Sequence, residues 1–226
     1  MGFIEKISLN LSENLGDKLN KNKEEKEVLN YGIFVVIHTL MGLIATVLIG
    51  IITGMIIEII IIFITSSWFK RYTGGVHATT PEKCLLISSI LSLILSLFCK
   101  YIIFNININY IFIIGFFSIM TFYYIINKKC PVSSKNKPLK RENTRRKLRK
   151  KAFNLLNRYF ILLIILYIIY NFICIDIIKT IIISCILGII LQMIVLTEIG
   201  ENFIIILDSS LNKIGKEHTS ELQSQN

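Results

Sequence analysis

One histidine and one cysteine stand seven residues apart in the polar stretch Lys70-Arg71-Tyr72-Thr73-Gly74-Gly75-Val76-His77-Ala78-Thr79-Thr80-Pro81-Glu82-Lys83-Cys84. A thiol becomes a nucleophile at neutral pH when a base takes its proton, and imidazole is the side chain suited to that task. The pair therefore holds the elements of acyl transfer, with Cys84 attacking a carbonyl and His77 carrying the proton. With three histidines and five cysteines in 226 residues, such a pairing in one short segment is not expected from composition. Chemistry alone leaves a plainer reading open. A loop histidine is commonly a solvated polar group, and a cysteine beside an apolar run commonly fills space. A metal site would need further ligands, and none are grouped with these two.

The segment also punctuates the chain. Thr80-Pro81-Glu82 has the signature of a helix start, with threonine as N-cap, proline at the first helical position and an acid in the first turn. Cys84 then falls in or just beyond that turn, where the helix dipole and free N–H groups favour an anion. A straight helix would put His77 and Cys84 about 10 Å apart along its axis, too far for proton transfer. A break at Pro81, preceded by Gly74-Gly75, lets the chain fold back. Glu82 could orient His77 or simply serve the helix end. Gly74 and Gly75 could donate N–H groups to an oxyanion or only form a turn. Arg71 could meet a substrate carboxylate or a lipid phosphate.

The elements that must position these residues are hydrophobic. Apolar residues make up 53% of the chain and mean hydropathy is +0.63, which calls for a surface facing lipid. The fold expected is all-α and polytopic, with about six spans: Tyr31–Ile52, Met55–Phe69, Leu85–Phe104, Tyr110–Ile126, Arg158–Ile175 and Ile177–Leu196. Met55–Phe69 is short, and its Glu58 is either an intramembrane functional carboxylate or an interfacial residue near the Gly54 turn. The first 30 residues are charged throughout and show no secretory signal. Three regions follow: an N-terminal segment 1–30, a transmembrane domain 31–196 with a basic loop 127–158, and a tail 197–226. The cysteines show no CxxC spacing and suggest neither a disulfide framework nor zinc.

Charge gives the orientation. Five Lys/Arg precede Tyr31, three lie in 70–83, thirteen in 127–158 and two follow Leu196, leaving Lys100 and Lys179 for the other side. Positive-inside bias then puts both termini, the His/Cys segment and the basic loop in the cytoplasm. Phe3, Ile4, Ile7, Leu11, Leu15 and Leu19 recur at helical steps, as in an amphipathic helix lying on the membrane or packed against the bundle. The basic loop includes Lys128, Lys129, Lys135, Lys137, Lys140, Arg141, Arg145, Arg146 and Lys147, with Glu142 its one acid. Such a run anchors topology and attracts anionic lipid, and it could also dock an acidic peptide. Nucleic acid is not indicated, because no aromatic platform or reading helix accompanies the charges.

The pattern R-x-x-G-G-x-H-x₆-C, carried by Arg71, Gly74, Gly75, His77 and Cys84 between the second and third spans, resembles the signature of the accessory gene regulator B (AgrB) family. The size, hydrophobic layout, basic stretch after the fourth span and Pro131 agree with it. The resemblance implies a bacterial plasma-membrane cysteine endopeptidase with His77 and Cys84 as its catalytic pair and no cofactor or metal. The implied substrate is a small quorum-sensing precursor with an amphipathic N-terminus and an acidic C-terminal tail. Its tail would be removed through a Cys84 thioester, and the signal segment closed to a thiolactone. Arg71, Gly74, Gly75, Lys128, Lys129, Arg145, Arg146 and Lys147 are the candidate substrate contacts. A homo-oligomer is left open. The competing class is a peptide transporter or membrane scaffold, for which Glu58 is the strongest feature.

Overall fold

The computed structural model describes residues 2–76, 78–101, 105–132 and 142–224, with side chains followed to Leu211. The expectations for His77, for Lys135, Lys137, Lys140 and Arg141, and for the Phe104 end of the third span lie outside these residues. Among them the chain forms eight helices: α1 (Phe3–Lys18), α2 (Lys23–Thr53), α3 (Ile56–Thr73), α4 (Pro81–Tyr101), α5 (Ile108–Lys129), α6 (Glu142–Ile173), α7 (Asp176–Val195) and α8 (Glu198–Ser224).

Five of these, α2, α4, α5, α6 and α7, are long and apolar enough to cross a membrane. The sixth expected span is α3, which carries Glu58, Lys70 and Arg71 within its 18 residues. It compensates by being central, packing against α7, α2, α4 and α6. α7 is apolar nearly all round because it too is wrapped by neighbours. Lipid is as apolar as leucine, so helices in a bilayer associate through close packing rather than hydrophobic transfer. The α3–α7 seam shows how. A Cβ built on Gly188 would stand 2.7 Å from the Thr65 Cβ, so glycine is what lets the two backbones approach. Nearby, Phe69 packs edge-on against Phe122 at 5.1 Å and tilted against Tyr159 at 5.2 Å. Such aromatic pairs contribute about 0.5–1.5 kcal/mol beyond their area.

The helix ends sort to two poles. At one, Lys100 Nζ donates to the Gly54 carbonyl and the Tyr167 hydroxyl to Asn109 Oδ1. Glu58 sits in the first turn of α3 beside this pole. At the other pole, Val132 N–H donates to the Thr73 carbonyl, Arg149 Nε to the Cys130 carbonyl, and Gln192 to the end of α3. The basic segments are thus gathered at one end of the bundle.

Two elements depart from the expected outline. The basic stretch is partly helical, because α6 begins at Glu142 and carries Arg145–Arg158 as its first turns. The tail forms α8, packed on α7 and α4. α1 rests on α2 and α4 through Ile4, Ser8, Ser12 and Gly16. Of the expected apolar stripe, Phe3, Leu11, Leu15 and Leu19 are exposed, Ile7 is half-buried and Ile4 is buried against the bundle.

Candidate active site

The Cys84 corner is built from helix ends at the basic pole. α4 starts as its residue types dictate: the Thr80 hydroxyl accepts from Lys83 N–H at 3.4 Å, Pro81 opens the helix, and Cys84 N–H donates to the Thr80 carbonyl at 3.1 Å. The next turn is closed by Ser88, whose hydroxyl donates to the Cys84 carbonyl at 2.7 Å. Cys84 is 9% exposed, and its sulfur borders a cleft of about 40 Å³ lined by Ser66, Lys70, Ser88, Gln192 and Ile204. That volume holds a few waters or the leading atoms of a substrate, not a peptide segment. Across the cleft, Lys70 Nζ donates to Cys84 Sγ at 3.5 Å. A half-buried ammonium at this distance attracts a thiolate and is a recognised setting for a reactive cysteine.

The turn leaving α3 is fixed as firmly. Gly74 and Gly75 have φ of +73° and +134°, conformations that a Cβ makes costly. At Gly74 a Cβ would also run into the Val132 backbone carbonyl. Gly74 N–H donates to the Lys70 carbonyl at 2.9 Å, which closes α3. Gln192, buried in α7, donates from Nε2 to the Thr73 hydroxyl at 2.9 Å and the Gly74 carbonyl at 3.0 Å. From α2, His38 Nε2 lies 3.2 Å from the Pro81 carbonyl; only a protonated Nε2 can donate to it. Glu82 turns away from the cleft and accepts from Ile4 N–H at 3.2 Å, so its carboxylate serves the start of α1.

The expected site residues separate into two groups. Cys84 lies in the cleft, and Gly74 and Gly75 form the turn beside it. Arg71 is exposed, as are Lys129, Arg145 and Lys147, and none of these four lines the cleft. Lys128 sits 4.9 Å over the Tyr124 ring, and Arg146 pairs with Glu142 at 2.7 Å. The other thiols are placed differently. Burial pushes the Cys130 thiol up to about 12, only partly offset by Arg149. Cys99 and Cys185 are buried within the bundle and Cys174 is exposed in the α6–α7 turn. Of the described thiols, Cys84 is the one that lines this cleft.

Sequence reasoning missed Lys70 and Gln192. In the sequence Lys70 reads only as a topological charge. Gln192 had a readable signal, since a lone amide inside an apolar span must find buried partners.

These features define a polytopic helical membrane protein with a cysteine and an ammonium facing each other in a cleft at its basic end. The family model for Accessory gene regulator B matches residues 4–196, and the chain belongs to that family. It is 32% identical to an AgrB-like protein of Clostridium perfringens strain SM101 over 213 residues, covering 94% of this chain and all of that one. A second C. perfringens relative, from strain 13, is 30% identical over the same shares. An AgrB-like protein of Listeria innocua is 27% identical over 63% of this chain and 70% of its own. No solved structure matches. Family membership assigns the protein to the accessory gene regulator system, a quorum-sensing circuit, and to the cell membrane.

Proposed function

We propose that the protein is a cysteine endopeptidase that trims a small quorum-sensing precursor and releases its signal segment as a thiolactone. The observation that carries this reading is Cys84, held at a helix start in a cleft with Lys70 Nζ 3.5 Å from its sulfur, within the motif that ends R-x-x-G-G-x-H-x₆-C. His77 is assigned as the base by its place in that motif. In the first step His77 takes the Cys84 proton and Sγ attacks the scissile carbonyl carbon. The C–N bond then breaks, and His77 returns the proton to the departing amine. The product is a thioester on Cys84 and a free tail peptide. A thiol within the acyl segment next attacks the thioester carbonyl. The C–Sγ bond breaks, the ring closes, and Cys84 regains its proton. Beside its polar groups the cleft is lined by Val76, Leu91, Leu191, Val195 and Ile204, and apolar walls of this kind disfavour water at the thioester relative to the intramolecular thiol.

The exposed cations at the start of α6 suit the acidic tail of such a precursor, by an attraction that salt weakens. The outward stripe of α1 suits a bilayer surface at the same pole. The charge bias supports placing this pole, with both termini, in the cytoplasm. Co-expression with the small precursor expected beside the gene, followed by mass spectrometry, tests the reading. Wild type should release the tail, and Cys84→Ala and His77→Ala should not while remaining in the membrane. Processing that persists without Cys84 would move the transporter or scaffold reading ahead.

A further inference from the structure

The segment between Gly75 and Pro81, which carries His77, is held from outside the hydrophobic bundle. Asp208 of α8 is 7% exposed, and its carboxylate is aimed at that segment rather than at water. Oδ2 accepts from Thr79 N–H at 3.3 Å and Oδ1 from the Thr79 hydroxyl at 3.1 Å. Burying a carboxylate is costly unless hydrogen bonds replace its water, so these two bonds fix α8 and the segment to each other. One helical turn earlier Ile204, 6% exposed, supplies the α8 side of the Cys84 cleft. The same face of α8 therefore holds Thr79 and walls the thiol. This helix begins beyond residue 196, where the family match ends.

We infer that Asp208 is a positioning residue of the active site, acting through Thr79 to hold the His77 segment in register with Cys84. This rests on the peptidase reading of that pair. Thr79 stands two residues after His77 and five before Cys84, on the short connection whose shape decides whether imidazole reaches sulfur. Two bonds to one residue, one of them to its backbone, fix the path of the connection and not merely its proximity. Without them the segment keeps its ends at Gly74 and Pro81 but loses its middle anchor. Proton transfer needs heavy atoms within about 3 Å, so a small displacement is enough to slow it.

The test is the rate of Cys84 alkylation by iodoacetamide in purified full-length protein carrying Cys174→Ser, with folding checked by monodisperse extraction. Asp208→Ala, which removes both bonds, is expected to slow the reaction about tenfold, and Thr79→Val, which keeps the backbone bond, about threefold, each a part of the roughly 10²–10⁴-fold that general-base catalysis supplies. The deciding arm is the His77→Ala background, where Asp208→Ala should add less than a further twofold. Equal slowing in both backgrounds would show that α8 only stabilises the fold and would overturn the inference, as would an unchanged rate in Asp208→Ala alone. If His77→Ala itself leaves the rate unchanged, the assigned pair fails, an outcome distinct from failure at Asp208.

Discussion

Replacing Lys70 by methionine removes the ammonium 3.5 Å from Cys84 Sγ while keeping most of the side-chain volume. At that separation the attraction between an ammonium and a thiolate is about 1 kcal/mol in bulk water and about 5 kcal/mol at an effective dielectric of about 20. Lys70 is half-buried in a cleft open on one side, so the lower half of that range applies. Losing about 1.4–3 kcal/mol of attraction for negative charge on the attacking sulfur corresponds to roughly a ten- to hundredfold factor. A less stabilised thiolate is intrinsically more nucleophilic, which cancels about 40–50% of the effect on a logarithmic scale. Lys70→Met is therefore expected to slow alkylation of Cys84 about three- to tenfold at pH 7. Lys70→Arg should stay within about twofold, since it keeps the charge. The assay is timed labelling with iodoacetamide and peptide mapping, in a Cys174→Ser background because Cys174 is exposed. A Lys70→Met protein that reacts as fast as wild type would refute the electrostatic argument.

Other perturbations separate the cleft from its surroundings. Neutralising Arg145, Arg146 and Lys147 together should raise the apparent KM for a precursor with an acidic tail and leave kcat near wild type. The increase should shrink as salt rises, whereas an unchanged KM at low salt would remove α6 from substrate docking. Gly74→Ala places a Cβ against the Val132 carbonyl at φ +73° and should cost at least about 1–2 kcal/mol, read as a lower thermal midpoint in detergent with cleavage lost in parallel. Cys130, fully buried with its thiol pushed up to about 12, should resist alkylation at pH 8 and react only after denaturation. Fast labelling of native Cys130 would show that the turn after α5 is open.

The helical, multi-span fold was legible because lipid leaves a plain mark on composition, and the gathering of the basic segments at one pole follows the charge pattern. Thr80-Pro81 marked the start of α4 because cap chemistry is local. What stayed hidden depends on distant pairing. Lys70 looks like any boundary charge until α3 and α4 meet, and Asp208 looks like any tail acid until α8 folds back over the cleft. Glu82 sits in the first turn that its position predicted, and its carboxylate also reaches across to the Ile4 N–H of α1. The basic stretch from Glu142 reads as a loop by charge, and continues as helix because Lys and Arg are good helix formers leading into an apolar span.

The central claim is a covalent bond between Cys84 and the precursor's signal segment. Purified protein in lipid nanodiscs would be mixed with a precursor whose ring-forming cysteine is replaced by alanine, so that the acyl group has no internal nucleophile. Intact-mass and peptide mapping after rapid acid quench should find the acyl segment attached at Cys84, released by hydroxylamine and missing from Cys84→Ala. Release of the tail by Cys84→Ala, or an adduct mapped to another residue, would contradict the claim.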